Sequence, residues 1–145
     1  MIIANLAEGQ TVMSLVKTLS FNAARLNMIA ENVANSETPG YRTQRLDTKG
    51  FQKALRAALD RRDRDPGRGL DVRSGREVAT SAQGSLEVTP SVEPAENILF
   101  HDGTNMSLER QMSDLAETAM MQDLATTLLR GEYEALRQAI RGRIS

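Results

Sequence analysis

The chain has no cysteine and no tryptophan, and only three Phe and two Tyr among its 145 residues. Without cysteine there can be no disulfide, no thiolate metal site and no thiol nucleophile. With aromatics at 3 %, few side chains are large enough to fill a deep interior. There is no surplus of either charge: 18 basic and 19 acidic residues leave a net charge of −1. That balance gives no overall attraction for phosphate, and no nucleic-acid partner is expected. No run approaches the ~20 apolar residues of a membrane-spanning helix, and the stretch from Met1 to Glu8 lacks the basic and apolar regions of a Sec-type signal.

Catalytic and metal-binding patterns are scarce as well. The single histidine, His101, excludes a two-His metal site. Beside Asp102 it has no placed nucleophile, so the pair reads as a surface turn. Asp102-Gly103-Thr104-Asn105 lacks the ligand spacing and terminal Glu of a calcium loop. No Gly-rich phosphate cradle, Walker-type lysine or serine elbow is present. Neither an enzyme nor a bound metal or cofactor is expected.

What the chain does have is two apolar stripes at its ends. Val12, Val16, Leu19, Ala23, Leu26, Ala30 and Val33 recur at alternating steps of four and three. Leu108, Met112, Leu115, Ala119, Leu129, Tyr133, Leu136 and Ile140 follow the same rhythm, interrupted by Gln122 and Thr126. Such a repeat places every member on one seam of a helix and drives helices together as coiled coils. Met120, Leu124 and Leu128 form a second stripe that could take over as the buried face. Met112, Met120 and Met121 are flexible packing groups. Isolated helices of this kind are marginal and gain stability from neighbours. Both termini, and residues 1–10 in particular, are therefore expected to be partly disordered in a free monomer.

The chain divides into an N-terminal helix (1–35), a turn and short helix (36–60), a loop-rich middle (61–104) and a C-terminal helix (105–145). The first helix is predicted from about Thr11 to Val33 or Asn35. Asn32 and Asn35 tolerate the left-handed conformation that ends helices. Pro39 then holds Thr38 extended, Pro39-Gly40 suits the centre of a type II turn, and Tyr41 can cover it. A short amphipathic helix is predicted over Lys49 to Arg61. Arg61-Arg62-Asp63-Arg64-Asp65 reads as a solvated linker, with an anion-binding patch as the alternative. Residues 70–73, 77–80 and 86–89 alternate weakly, as short strands or extended segments would. The last helix is predicted from about Met106, capped by Asn105 or Ser107, to Ile140, with Gly131 as a weak point.

The run Asn32-Val33-Ala34-Asn35-Ser36-Glu37-Thr38-Pro39-Gly40-Tyr41-Arg42, after an amphipathic helix, resembles the signature of bacterial flagellar rod and hook proteins. Phe100-His101-Asp102-Gly103-Thr104-Asn105, followed by Leu108-Glu109 and Met112, is similar to the C-terminal signature of the proximal-rod members of that family. The resemblance implies a mainly α, elongated subunit whose long terminal helices form a coiled-coil layer around a central channel. Beside them stand a short third helix and a loop-rich middle with room for small β elements. It implies a structural role in the basal-body rod, and export through the flagellar type III apparatus without signal cleavage to a periplasmic position. The implied partners are other copies of the chain, other rod proteins, the basal-body adaptor protein, the membrane ring and the export gate. A helical adaptor or regulatory protein that dimerises through one seam is the alternative.

Overall fold

The computed structural model describes residues 2–65, 67, 69–92 and 108–142, with side chains from residue 9 onward. Two long helices dominate, α1 (Ile2–Ala34) and α3 (Leu108–Gly142). At ~1.5 Å rise per residue each is a rod of roughly 50 Å. Between them lie β1 (Gln44–Arg45), α2 (Thr48–Arg64), β2 (Val78–Thr80), β3 (Leu86–Val88) and β4 (Ser91–Val92). The mainly helical class, the two long terminal helices, the short middle helix and the small strands agree with the expectation from sequence. α1 starts nine residues earlier than the apolar rhythm indicated, because nothing from Ile2 to Gln10 breaks a helix except the tolerated Gly9.

α1 and α3 pack antiparallel, since Arg25 of α1 meets Asp114 and Glu117 of α3 while Asn32 reaches back to Gln111. The small strands form two separate antiparallel pairs. β1 pairs with β4, Gln44 opposite Val92, and β2 pairs with β3, Val78 opposite Val88. The β2–β3 hairpin turns at Gly84, whose φ of 85° requires a residue without a Cβ.

The core sits where α1, α2 and the hairpin meet. It is built from Phe21, Met28 and Ile29 of α1, Phe51 and Ala58 of α2, and Leu46, Leu70, Val72 and Val78. Phe21 and Phe51 stack with their ring centroids 4.1 Å apart. Two of the chain's three Phe residues thus carry the centre of this small interior.

α2 is placed by its cap. Asp47 Oδ1 accepts from the Gly50 N–H at 2.9 Å, and a Cβ at Gly50 would run into the Asp47 carboxylate and the Ser74 hydroxyl. The Asp47 N–H in turn donates to Glu77 Oε2 at 2.8 Å. Glu77 also accepts from the Ser91 hydroxyl and, through its backbone carbonyl, from the Thr89 N–H. One carboxylate therefore ties the start of α2 to β4.

Phe51→Ala should remove the ring stack and open a cavity in an interior with few large side chains. We expect a loss of roughly 3–5 kcal/mol in urea unfolding, whereas Lys53→Ala, on the exposed side of α2, should change the midpoint little.

Candidate assembly interface

The seven seam positions of α1 do not form its buried face. Val16, Ala23 and Ala30 are exposed, and Val12, Leu19, Leu26 and Val33 are half-buried. The line that packs inward is Lys17, Phe21, Met28, Ile29 and Asn32. At ~100° per residue, Val16, Ala23 and Ala30 lie roughly opposite Phe21. α1 therefore carries two apolar faces, and among the described residues only one of them is packed inward.

α3 shows the same division more sharply. Its buried residues are Gln111, Thr118 and Ala125, seven apart. Of the seam positions, Leu115 and Leu129 are half-buried, while Leu108, Met112, Ala119, Tyr133, Leu136 and Ile140 are exposed. The second stripe does not take over as the inner face: Met120 is 73 % exposed, and Leu124 and Leu128 also point to solvent. The interruptions Gln122 and Thr126 instead lie on the half-buried side.

The physical reason is that polar bonds hold α3 against α1. Arg25 donates to Asp114 at 3.0 Å and to Glu117 at 3.4 Å. Thr118 and Thr126 return their hydroxyl protons to carbonyls one turn back, those of Asp114 and Gln122. The match is incomplete, because Asn22 Nδ2 and Gln122 Oε1 are buried without a partner. Each such atom costs about 1–3 kcal/mol relative to a satisfied one.

The turn motif is a fully satisfied polar site. Asn32, fully buried, donates through Nδ2 to the Gln44 carbonyl at 2.8 Å and to Gln111 Oε1 at 3.2 Å. Its Oδ1 accepts from the Tyr41 hydroxyl at 3.0 Å and from the Gln44 N–H at 2.9 Å. All four bonding positions of the amide are filled, and four segments meet there: α1, the turn, β1 and α3. Asn32 therefore works inside the helix. Neither it nor Asn35 is left-handed, since no described residue other than glycine has positive φ. Asn35 ends the helix differently, donating its side-chain amide to the Glu31 carbonyl at 2.8 Å. The Pro39-Gly40 turn has the expected geometry. Gly40 has φ 77°, and the Tyr41 N–H closes on the Thr38 carbonyl at 3.1 Å. Thr38 and Pro39 are exposed.

Lys17 had no signal in the sequence beyond a lone cation within an apolar stretch. It is 6 % exposed and donates to the Gly84 carbonyl at 3.0 Å and to Thr80 Oγ1 at 3.3 Å, pinning the β2–β3 hairpin to α1. Burial pushes its ammonium below the ordinary value of 10.5, and Asp71 opposes the shift. His101 and the run from Phe100 to Asn105 lie outside the described residues. Among the described residues no cluster of three or more His, Cys, Asp or Glu side chains could hold a metal.

Asn32→Ala should cost roughly 3 kcal/mol in urea unfolding, because it strands the Gln44 amide and Gln111 in a dry site. Gly40→Val meets open space but a left-handed backbone; it should cost about 1–2 kcal/mol. Burial, and then the negative charge of Glu31, raise the Tyr41 hydroxyl above its ordinary value of 10.0. Its neutral form supports folding fully below pH 10, and that support is lost as pH rises through the raised value. Alkaline unfolding followed by circular dichroism should show this loss, and Tyr41→Phe should abolish it.

Comparison with known proteins meets this geometry at the same residues. The family described as "Flagella basal body rod protein" matches residues 14–42, which span α1 from Ser14 to its end and the turn. The "Flagellar basal body rod protein FlgB" of Salmonella typhimurium is 23 % identical over 134 residues, covering 87 % of this chain and 89 % of that protein. The protein of the same name from Yersinia enterocolitica is 22 % identical over 129 residues, covering 83 % and 85 %. That of Escherichia coli K12 is 22 % identical over 127 residues, with the same coverage. The resemblance carried by the sequence motifs is borne out: over most of its length this chain is similar to flagellar basal-body rod proteins.

Proposed function

We propose that this chain is a structural subunit of the bacterial flagellar basal-body rod, in its proximal part, and that it polymerises through α1 and α3 into a hollow shaft that transmits torque. The observation that carries this reading is the pair of outward apolar faces. Val16, Ala23 and Ala30 on α1, and Leu108, Met112, Met120, Leu124 and Leu128 on α3, face solvent, while α3 turns Gln111, Thr118 and Ala125 inward with only Leu115 and Leu129 half-buried beside them. Exposed apolar surface of this extent marks association. Helices that display this much Leu and Met outside a small separate core are arranged to be covered by neighbours.

No described helix is long and apolar enough to cross a membrane. Export through the flagellar type III apparatus without signal cleavage, to a periplasmic place in the basal body, belongs to the same proposal. So do contacts with other rod proteins, the adaptor protein, the membrane ring and the export gate at the rod base. The work proposed is mechanical, not enzymatic.

Ala23→Asp puts a charge on the outer face of α1 without touching the core. We expect the purified variant to keep its helical circular dichroism and unfolding midpoint, while cells producing it in place of the native chain lose motility and build no rods. Normal swimming and complete basal bodies in electron micrographs would refute the reading.

A further inference from the structure

A groove of about 690 Å³ runs between α1 and the loops beside the β2–β3 hairpin. Its walls are mostly apolar, with Val12, Met13 and Val16 on one side and Leu70 and Ala82 on the other. Lys17 stands in its lining. An ammonium has three N–H donors. Two of them go to the Gly84 carbonyl and Thr80 Oγ1, and among the described residues Lys17 makes no ion pair. Asp71 and Arg73 also line the groove and pair with each other at 3.2 Å, so the lining carries a net positive charge at the Lys17 end, and an apolar occupant that brings a carboxylate there suits it.

The chain displays such a surface elsewhere. In the last third of α3, Tyr133, Leu136 and Ile140 are exposed at 50, 45 and 54 %. Glu132 lies one turn before Leu136, which places it on the same face, and it makes no ion pair among the described residues. The two surfaces cannot meet within one molecule. The register set by Arg25 against Asp114 and Glu117 carries Glu132 about 10 Å or more past Lys17 along the helix pair. α3 runs unbroken to Gly142 and does not fold back.

We propose that the end of α3 from a second copy docks in this groove, with Leu136 and Ile140 against Val12, Val16 and Leu70 and Glu132 paired with Lys17. The contact joins two different patches, so it is head-to-tail. Repeated from copy to copy, it yields an open helix or a ring. The inference rests on the rod reading and adds which faces meet.

The absence of cysteine makes the test clean. Val16→Cys and Leu136→Cys chains carrying different tags are produced together in cells lacking the native chain, and their basal bodies are oxidised. A disulfide joining the two tags is expected, with none from either variant alone. Adding Glu132→Lys to the Leu136→Cys chain should abolish it, and adding Lys17→Glu to the Val16→Cys chain should then restore it. Should the Lys17→Glu chain not fold by circular dichroism, the loss caused by Glu132→Lys still decides the contact. Rods that contain both variants but no mixed disulfide, or a disulfide insensitive to Glu132→Lys, overturn the groove contact and leave the rod reading standing. Basal bodies that contain neither variant nor the native chain overturn both.

Discussion

Asn32 is the fixed point of this fold. Its amide is fully buried and fully bonded, and its four bonds reach three places: the Tyr41 hydroxyl just after the turn, both backbone groups of Gln44 at the start of β1, and the Gln111 side chain of α3. Without it the chain leaving α1 loses the bonds that direct it, and α3 loses one of the contacts that set its height along α1. The neighbouring devices depend on that placement. The Pro39-Gly40 turn delivers Tyr41 to Asn32, β1 delivers Asp47 to cap α2, and α2 delivers Phe51 to Phe21. A buried amide with every position used is stiff, since any rotation breaks several bonds at once.

The rest of the α1–α3 contact is looser. It relies on one arginine shared between two carboxylates and on the small apolar contribution of Leu115 and Ala125; its threonines bond their own helix, and two buried amide atoms have no partner. An ion pair this near the surface contributes little by itself. In a self-contained helical hairpin one would expect Leu and Met at these positions, and they are instead turned outward. The arrangement makes sense in a subunit whose helices gain most of their burial from other copies. The small core around Phe21 and Phe51 then holds α2 and the hairpin against α1 and keeps the outer faces presented.

Much of this was legible in the residues. The long terminal helices followed from apolar rhythm, α2 from its amphipathic spacing, and the turn from Pro39-Gly40, whose conformational requirements are local. β2 and β3 were visible as short strands in the weak alternation of Glu77 to Thr80 and Leu86 to Thr89, but not their pairing, and Leu70 to Arg73, which alternates in the same way, forms no strand. The pairing of Gln44-Arg45 with Ser91-Val92 was not visible either, because two-residue strands have no period to detect and their pairing joins positions far apart in the chain. Asn32 and Asn35 were read as helix enders from their tolerance of left-handed backbone. Asn32 instead stays helical, because a buried acceptor and donor set awaits its side chain, and local propensity gives way to that tertiary bonding.

The sequence by itself determined which residues can form a seam, since helical periodicity is a property of spacing alone. It also determined that no thiol, two-histidine or phosphate-cradle chemistry is on offer. Only the tertiary structure decided which seam is used within the chain and which is left outside. Val16 and Phe21 have equal claims to burial by hydrophobicity, and so do Leu124 and Leu115. The choice fell to partners distant in sequence: Phe51 stacking on Phe21, Gln111 reaching Asn32, Asp114 meeting Arg25. Periodicity states that a face is apolar, but what covers it is settled by the shape and polarity of the neighbour that arrives.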